Sequence, residues 1–232
     1  MVVSLILPCY NPPHEWEKTV LFNYNTFSQR VQTPVELVVV MDGVSETVTA
    51  EALAFLEKNI VAVRLISYTE NQGKGYAIRK GVEASAGDII LYTDIDFPYT
   101  PDSIYAVYDS LAKNECDVAA GIKDDAYFEH VPPLRRFISR YLQLLIRIFL
   151  SMPVTDTQCG LKGFRSNVKP LFLETTIKRY LFDLEFIRNC FKSKKIRVKP
   201  IPVTLNENIH FRRMNYRILL PEMFNFIRLL LK

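Results

Sequence analysis

Short apolar runs alternate with stretches of helical periodicity through the first half of this chain, and no other feature restricts its fold as much. "VVSLILP" leads into a helical stretch from about Glu15 to Gln29. "VELVVVM" leads into "SETVTAEALAFLEKN", where Ser45 is the expected N-cap and Val48 to Leu56 supply the apolar face. "IVAVRLIS" precedes "GKGYAIRKGVEASAG", a helix expected to close at Gly87. "DIILYTD" precedes "PDSIYAVYDSLAKN", which puts Pro101 in a favoured first-turn position, and "CDVAAGI" supplies a further strand. Strands that are apolar on both faces and separated by helices predict an α/β fold. Its central sheet should be mostly parallel, flanked by helices and wound right-handedly, with a Rossmann-like N-terminal half.

Such a sheet binds ligands at the carboxyl ends of its strands. The residues that fall there are Pro8, Cys9, Tyr10 and Asn11 after the first strand, Asp42 and Gly43 after the second, and Asp94 and Asp96 after the fourth. "ENQGKG", with Gly73 and Lys74, follows the third and joins them. Beyond about residue 125 the rhythm changes. A long helix is expected from about Pro132 to Leu150, then a compact "DTQCGLKGFR" and a helix near Phe182 to Lys192. A strand in "KIRVKPIPVTL" follows, and a terminal helix "NYRILLPEMFNFIRLLLK" that Pro221 should kink or interrupt. With no internal repeat, low-complexity tract or long linker, the 232 residues read as one domain, about 1–125 forming one half and about 126–232 the other.

Apolar residues make up 49% of the sequence and charged residues 23%, enough to bury a core and outside the disordered range. The net charge of +4 is mild, but Lys and Arg concentrate after residue 134, in "RRFISR", "KSKKIRVK" and "FRRMNYR", which suits an anionic partner. Nucleic acid is not the expected one, because no aromatic-interleaved or zinc-finger pattern accompanies these residues. Cys9, Cys116, Cys159 and Cys190 form no CxxC pair and no metal-ligand spacing, and the opening residues lack a basic leader. Reduced thiols of a cytoplasmic protein are expected. "YLQLLIRIFLSMP" is interrupted by Arg147 and too short to span a bilayer, so the expectation is a soluble chain that at most touches the cytoplasmic face of a membrane.

"DIILYTDIDFPYTP" crowds two carboxylates at the end of an apolar run. Like charges this close raise each other's pKa and cost free energy unless a cation or hydrogen bonds compensate them. Asp94 and Asp96 therefore either decorate a solvated turn or hold a hard divalent cation that also binds substrate phosphates. "NQGKGYAIRKG" carries three glycines with Lys74, Arg79 and Lys80. It has neither P-loop nor dinucleotide-fingerprint spacing, yet glycines at a helix N-terminus can approach a diphosphate. Asp42-Gly43 by itself is ordinary turn chemistry.

In this order and spacing, "LILPCYN", "VVVMDG" and "NQGKGYAIRKGVEASAGDIILYTDID" resemble the nucleotide-sugar half of family 2 glycosyltransferases. "RRFISRYLQLLIRIFLSMPVTDTQCGLKGFR" and "FDLEFI" narrow the resemblance to the polyprenyl-phosphate branch, the dolichyl-phosphate glucose and mannose synthases, and it covers nearly the whole chain. The resemblance implies a GT-A fold, Mg²⁺ or Mn²⁺ as cofactor, and a UDP- or GDP-sugar as donor. It implies that Pro8, Tyr10, Asn11 and Asp42 hold the nucleoside, Asp42 reading the base edge. It places Gly73, Lys74 and Arg79 beside the donor, and has Asp94 and Asp96 engage the metal and the diphosphate. Lys123, Arg135, Ser139 and Arg140 fall where the family positions the acceptor phosphate, and Asp156 and Gln158 in a loop near the sugar. Three positions depart from the pattern. Pro12 stands where the family usually has Glu, Met41 and Val44 replace the usual acidic and Ser neighbours of Asp42, and Lys123 replaces an Arg, keeping the charge but losing the bidentate fork.

The implied reaction is inverting transfer of a hexose, with charge on the departing diphosphate stabilised by the metal and by Lys or Arg. A polyprenyl phosphate acceptor is already anionic at neutral pH and needs positioning, which the Arg-rich segment suits. A saccharide hydroxyl, as in cell-surface polysaccharide assembly, needs a base. Asp183 in "FDLEF" stands where hydroxyl-glycosylating relatives carry one, unless it caps its helix. Outside this class the alternative is a non-catalytic nucleotide-sugar-binding or membrane-surface module. Phe137, Leu144 and Phe149 with their flanking arginines, and "NFIRLLLK", either pack in the core or lie in the lipid headgroup region.

Overall fold

The computed structural model describes residues 1–123, 136–137, 141, 144, 146, 157, 159–206 and 219–231. The strands are β1 (Val3–Cys9), β2 (Val35–Asp42), β3 (Val63–Tyr68), β4 (Ile89–Tyr92), β5 (Val118–Lys123), β6 (Lys162–Arg165) and β7 (Val198–Val203). The helices are α1 (Trp16–Val31), α2 (Ala50–Asn59), α3 (Lys74–Ala84), α4 (Pro101–Ala112), α5 (Lys169–Leu173), α6 (Phe182–Ser193) and α7 (Leu219–Leu231). The strands form one sheet in the order β3-β2-β1-β4-β6-β5-β7. β1 lies parallel to β2 and β4, β2 to β3, and β5 to β7, as the apolar runs predict. β6 runs antiparallel to both its neighbours, β4 and β5. No strand is expected here from sequence, because the four residues of "KGFR" carry no usable period. Gly163 lets β6 come in: a Cβ there would stand 2.3 Å from Leu91 Cδ2 and 2.8 Å from Leu111 Cδ1.

Alternation along each strand divides the core. Leu5, Leu7 and Cys9 of β1 cluster with Trp16 and Val20 of α1, Leu56 of α2 and Val107 of α4. Ile6, between them, clusters instead with Ile78 and Val82 of α3, Phe172 of α5, Phe186 of α6 and Phe226 of α7. Fully burying each Leu, Ile or Phe is worth about 1.5–3 kcal/mol. A one-residue slip would exchange the two sets, so packing fixes the register that carries the strand ends to one edge.

Several boundaries differ from expectation for identifiable reasons. Thr49, not Ser45, caps α2, its Oγ1 accepting the Ala52 N–H at 3.2 Å, while Ser45 closes the preceding turn through Val48 N–H. α3 ends at Ala84 with Ser85 as its C-cap. Gly87 serves the sheet instead: its N–H donates to Ser4 Oγ at 2.8 Å, where a Cβ would collide. Pro221 lies near the start of α7 as described, Leu219–Leu231, and the residues before Leu219 that the kink expectation concerns lie outside the described residues. Of the helix expected from Pro132 to Leu150, the described residues Arg136, Phe137, Tyr141, Leu144 and Ile146 are helical. All four cysteines are buried and outside any disulfide, and burial pushes Cys116 up to about 11 and Cys190 up to about 12, which keeps those two as inert thiols.

α7 is pinned to the start of α6, where Leu181 N–H donates to Glu222 Oε2 at 2.9 Å. Burial nevertheless raises the Glu222 carboxyl above its usual range, ahead of the backbone hydrogen bonds that lower it. A carboxyl whose folded pKa lies above its unfolded one contributes stability at low pH, and that contribution is lost as pH rises through the folded value. Glu222→Gln keeps an acceptor and cannot ionise. Its melting temperature relative to the parent chain should therefore rise as pH climbs above the ordinary carboxylate range, and a flat difference would count against this titration.

Candidate active site

The sheet winds outward from β1 to β3 on one side and through β4 on the other, so the crevice between the ends of β1 and β4 is its switch point. Pro8, half-buried, and Tyr10 and Asn11, both exposed, stand at the end of β1. Asn11 holds a left-handed backbone, φ +44°, that turns the chain away from the sheet. Two successive antiparallel pairings through β6 leave β5 pointing the same way as β4. Lys123, the half-buried last residue of β5, therefore arrives at this same edge.

Asp94 and Asp96 lie in a tight turn beyond β4, closed by Phe97 N–H donating to Asp94 O at 3.0 Å. Phe97 is buried with φ +45°, a costly conformation for a bulky residue. Asn206 holds it there, its Nδ2 donating to Phe97 O at 2.8 Å and to Tyr99 O at 3.1 Å. Tyr99 Oη in turn accepts the Gly160 N–H at 2.9 Å, which docks the "CG" of "DTQCG" against the acidic turn. The result leaves Asp94 partly open and Asp96 exposed.

Lys74, the first residue of α3, reaches across the crevice and pairs with Asp94, Nζ to Oδ1 2.6 Å. Burial works against this ammonium, but Asp94, then Asp183, outweigh it and hold the Lys74 pKa above its usual value. Gly160 lies against the pair: a Cβ there would stand 2.5 Å from Asp94 Oδ2 and 3.3 Å from Lys74 Nζ. Gly160→Ala should therefore displace Asp94 or Lys74. We expect nucleoside diphosphate affinity to fall about tenfold while the melting temperature moves by only a few degrees. Unchanged affinity in a calorimetric titration would contradict this packing.

The turn before α3 is held from two sides. Asp42, 3% exposed, accepts from Tyr68 Oη (2.9 Å) and Gln72 N–H (2.7 Å) on Oδ1, and from Asn71 Nδ2 and Gly73 N–H (both 2.9 Å) on Oδ2. Both oxygens are thus committed to the turn, and any base-edge contact would be additional to that anchoring. On the other side, Lys178 O accepts Tyr76 N–H, and Ile177 O accepts from Arg79 at 2.7 Å. Arg79 also donates to Thr175 Oγ1, so its guanidinium braces α3 against this segment rather than facing Asp94. Buried Glu185 clamps the same segment through Thr176 N–H and Ile177 N–H, each at 2.8 Å.

Beneath Lys74 lies a second, sealed pair. Lys162 is fully buried on β6, and its Nζ stands 3.0 Å from Asp183 Oδ1 and also donates to Cys159 O. Tyr92 Oη donates to the same Asp183 oxygen at 2.6 Å. Burial, then Asp183, pushes the Tyr92 phenol well up, so it remains a donor. Asp183 does not cap α6, whose N-cap is Leu181 with no side-chain bond. Nor, at 3% exposure and with Oδ1 doubly engaged, is it placed as a solvent-facing base; its geometry is that of a buried counter-ion.

The structure thus gathers Asp94, Lys74, Gly73 and Asp42 at one edge, with Pro8, Tyr10, Asn11, Asp96 and Lys123 on its rim. Arg135, Ser139, Arg140, Asp156 and Gln158 lie outside the described residues. Sequence reasoning missed Gly160, Lys162, Asn206 and Glu185. Gly160 was legible as a glycine in a compact motif, whereas Asn206 in "TLNEN" carried no signal at all.

Residues 4–169 match the protein-family model described as Glycosyl transferase family 2. Dolichyl-phosphate beta-glucosyltransferase of Drosophila melanogaster is 28% identical over 200 residues, 80% of this chain and 61% of the fly protein. Its counterpart from Dictyostelium discoideum is 24% identical over 217 residues, 88% of this chain and 65% of that protein. The chain therefore spans a little under two thirds of these relatives' length. Glucosyl-3-phosphoglycerate synthase from Mycobacterium tuberculosis, solved with Mn²⁺, UDP and glucosyl-3-phosphoglycerate, superposes with a TM-score of 0.64 at 15% identity, covering 94% of this chain and 74% of that one. Mannosyl-3-phosphoglycerate synthase from Rubrobacter xylanophilus gives 0.67 at 14% identity, covering 98% and 72%.

Proposed function

The chain belongs to glycosyl transferase family 2 and has the GT-A fold, and from that premise we propose that it moves a hexose from a UDP- or GDP-sugar to a polyprenyl phosphate with inversion. The observation that carries this reading is the Lys74–Asp94 pair, beside exposed Asp96, at the switch point of the sheet. It sets an ammonium, two carboxylates and the N-terminus of α3 around one crevice, the set that a diphosphate and a divalent ion require together.

A divalent ion fits these residues. Asp94 and Asp96 offer hard oxygens on a fixed turn, and the hydroxyl of Thr93, buried next to Asp94, has no partner among the described residues. No cluster of three His, Cys, Asp or Glu ligands occurs among the described residues, so the ion would complete its shell with water and donor phosphate oxygens, the habit of Mg²⁺ and Mn²⁺ at phosphate sites. Bound there, it supplies Lewis-acid stabilisation of the departing diphosphate. Lys74 adds a positive charge on the same side, and the N-terminus of α3 adds its dipole.

The acceptor phosphate oxygen attacks the anomeric carbon as the carbon–oxygen bond to the diphosphate breaks. The bonding pair leaves on the nucleoside diphosphate, and no proton moves. A phosphate nucleophile is supported by the sealed Asp183, since hydroxyl transfer would call on a base that this carboxylate is poorly placed to be. The names of the curated relatives point the same way. No helix among the described residues is long and apolar enough to cross a membrane. Met223, Phe224 and Ile227 stand exposed on α7 while Phe226 and Leu229 face the core, and Phe137, Tyr141 and Leu144 are likewise exposed. These outward apolar residues support contact with a lipid surface from one side.

The test is transfer from labelled UDP- and GDP-hexoses to a short polyprenyl phosphate, the matching free polyprenol and a soluble oligosaccharide. Labelled product from the phosphate alone is expected. Product from the oligosaccharide alone would replace this reading with hydroxyl transfer.

A further inference from the structure

We propose that Lys74 is the donor site's built-in cation: its ammonium compensates Asp94 and competes with a divalent ion for that carboxylate until a nucleoside diphosphate offers it another anion. This rests on the transferase reading above and adds an order to it, in which the metal and the nucleotide bind as mutually dependent partners.

Two lysine–aspartate pairs are stacked in this site, and they are not alike. Lys162 and Asp183 have side-chain exposures of 0% and 5%, with Tyr92 Oη and Cys159 O closing the shell, so that pair is fixed. Lys74 and Asp94 have exposures of 19% and 37%, and Asp94 opens to the crevice. Lys74 also occupies the first position of α3, where the helix dipole disfavours a cation. A lysine there needs anions around it, and Asp94 at 2.6 Å is the one it contacts.

Asp94 Oδ1 is in contact with that ammonium, and Gly160 packs against Oδ2 so closely that a Cβ would stand 2.5 Å away. A divalent ion approaching Asp94 therefore meets a resident positive charge. A diphosphate at the α3 N-terminus gives Lys74 an alternative partner at the length of its own flexible stem, and a lysine serves phosphate well as a point charge. Each ligand then removes an obstacle to the other, and the coupling is reciprocal.

The experiment measures binding, not turnover. Mn²⁺ affinity is read by electron paramagnetic resonance with and without saturating UDP or GDP, for the parent chain, Lys74→Met and Lys74→Arg. We expect the parent chain to bind Mn²⁺ weakly alone and about tenfold or more tightly with the better nucleotide. Lys74→Met should bind Mn²⁺ alone about tenfold more tightly than the parent, bind nucleotide more weakly, and lose most of the coupling. Lys74→Arg, which keeps the charge, should keep the weak metal-only binding. Metal-only affinity that is unchanged or weaker in Lys74→Met overturns the proposal, because a lysine that merely orients Asp94 would behave that way. Should that variant not fold, metal binding in the parent that is independent of nucleotide overturns it equally. Failure of the transferase reading looks different: the parent chain would bind neither nucleotide in any combination with Mn²⁺.

Discussion

Lys162→Met is expected to cost about 3–5 kcal/mol of folding stability, a large share of the 5–15 kcal/mol that a domain typically has. Lys162 is fully buried and Asp183 is 3% exposed, so deleting the ammonium leaves a buried carboxylate with the Tyr92 hydroxyl as its hydrogen bond and only the more distant charge of Lys74 for compensation. The loss comes from that uncompensated charge and not from missing bulk, because Met fills most of the same volume. Asp183→Leu on top of Lys162→Met should therefore restore much of the stability, since apolar replacements of a buried pair are often neutral. Urea denaturation read as a double-mutant cycle measures this directly. If Lys162→Met costs less than about 1 kcal/mol, the pair is not the sealed structural element described above.

The parallel core of the sheet could be read from the sequence because buried strands are continuous apolar runs, and "VSLILPC", "VELVVVMD" and "IILY" can be little else. The carboxyl-edge rule alone places Asp42, Lys74 and Asp94 near one another. It could not say what each does. The resemblance has Asp42 reading a base edge, and the structure adds a role that the rule does not contain: both of its oxygens anchor the turn that carries Lys74. Arg79 was expected beside the donor, but a helix turns about 100° per residue, and five residues beyond Lys74 its side chain meets Thr175 and Ile177. For Asp183 the sequence allows either a cap or a base. Its partner Lys162 comes from a short antiparallel strand with no period to detect, so the buried pair was invisible until the strand was placed. Long-range pairing of polar side chains leaves no local trace in sequence, and that is the part of the site that had to be seen.

Asp96→Asn should abolish most turnover while leaving the fold untouched. Asp96 is exposed on the turn after β4, so its substitution removes a charge from the crevice and nothing from the core. Lewis-acid stabilisation of a leaving diphosphate is worth several kcal/mol, which at tenfold per 1.36 kcal/mol means a fall of about 10²–10³ in kcat. Asp94→Asn should fall at least as far and should also shift the binding of nucleotide without metal, because it takes the partner from Lys74 as well as a ligand from the ion. Excess EDTA should bring the parent chain down to the level of Asp96→Asn, and Mn²⁺ or Mg²⁺ should restore the parent but not the variant. The two carboxylates are thereby separated by experiment: Asp94 acts through the metal and through Lys74, Asp96 without that Lys74 contact. Full activity of Asp96→Asn, or of the parent chain in EDTA, would leave the acidic turn without its metal role and return the pair to ordinary turn chemistry.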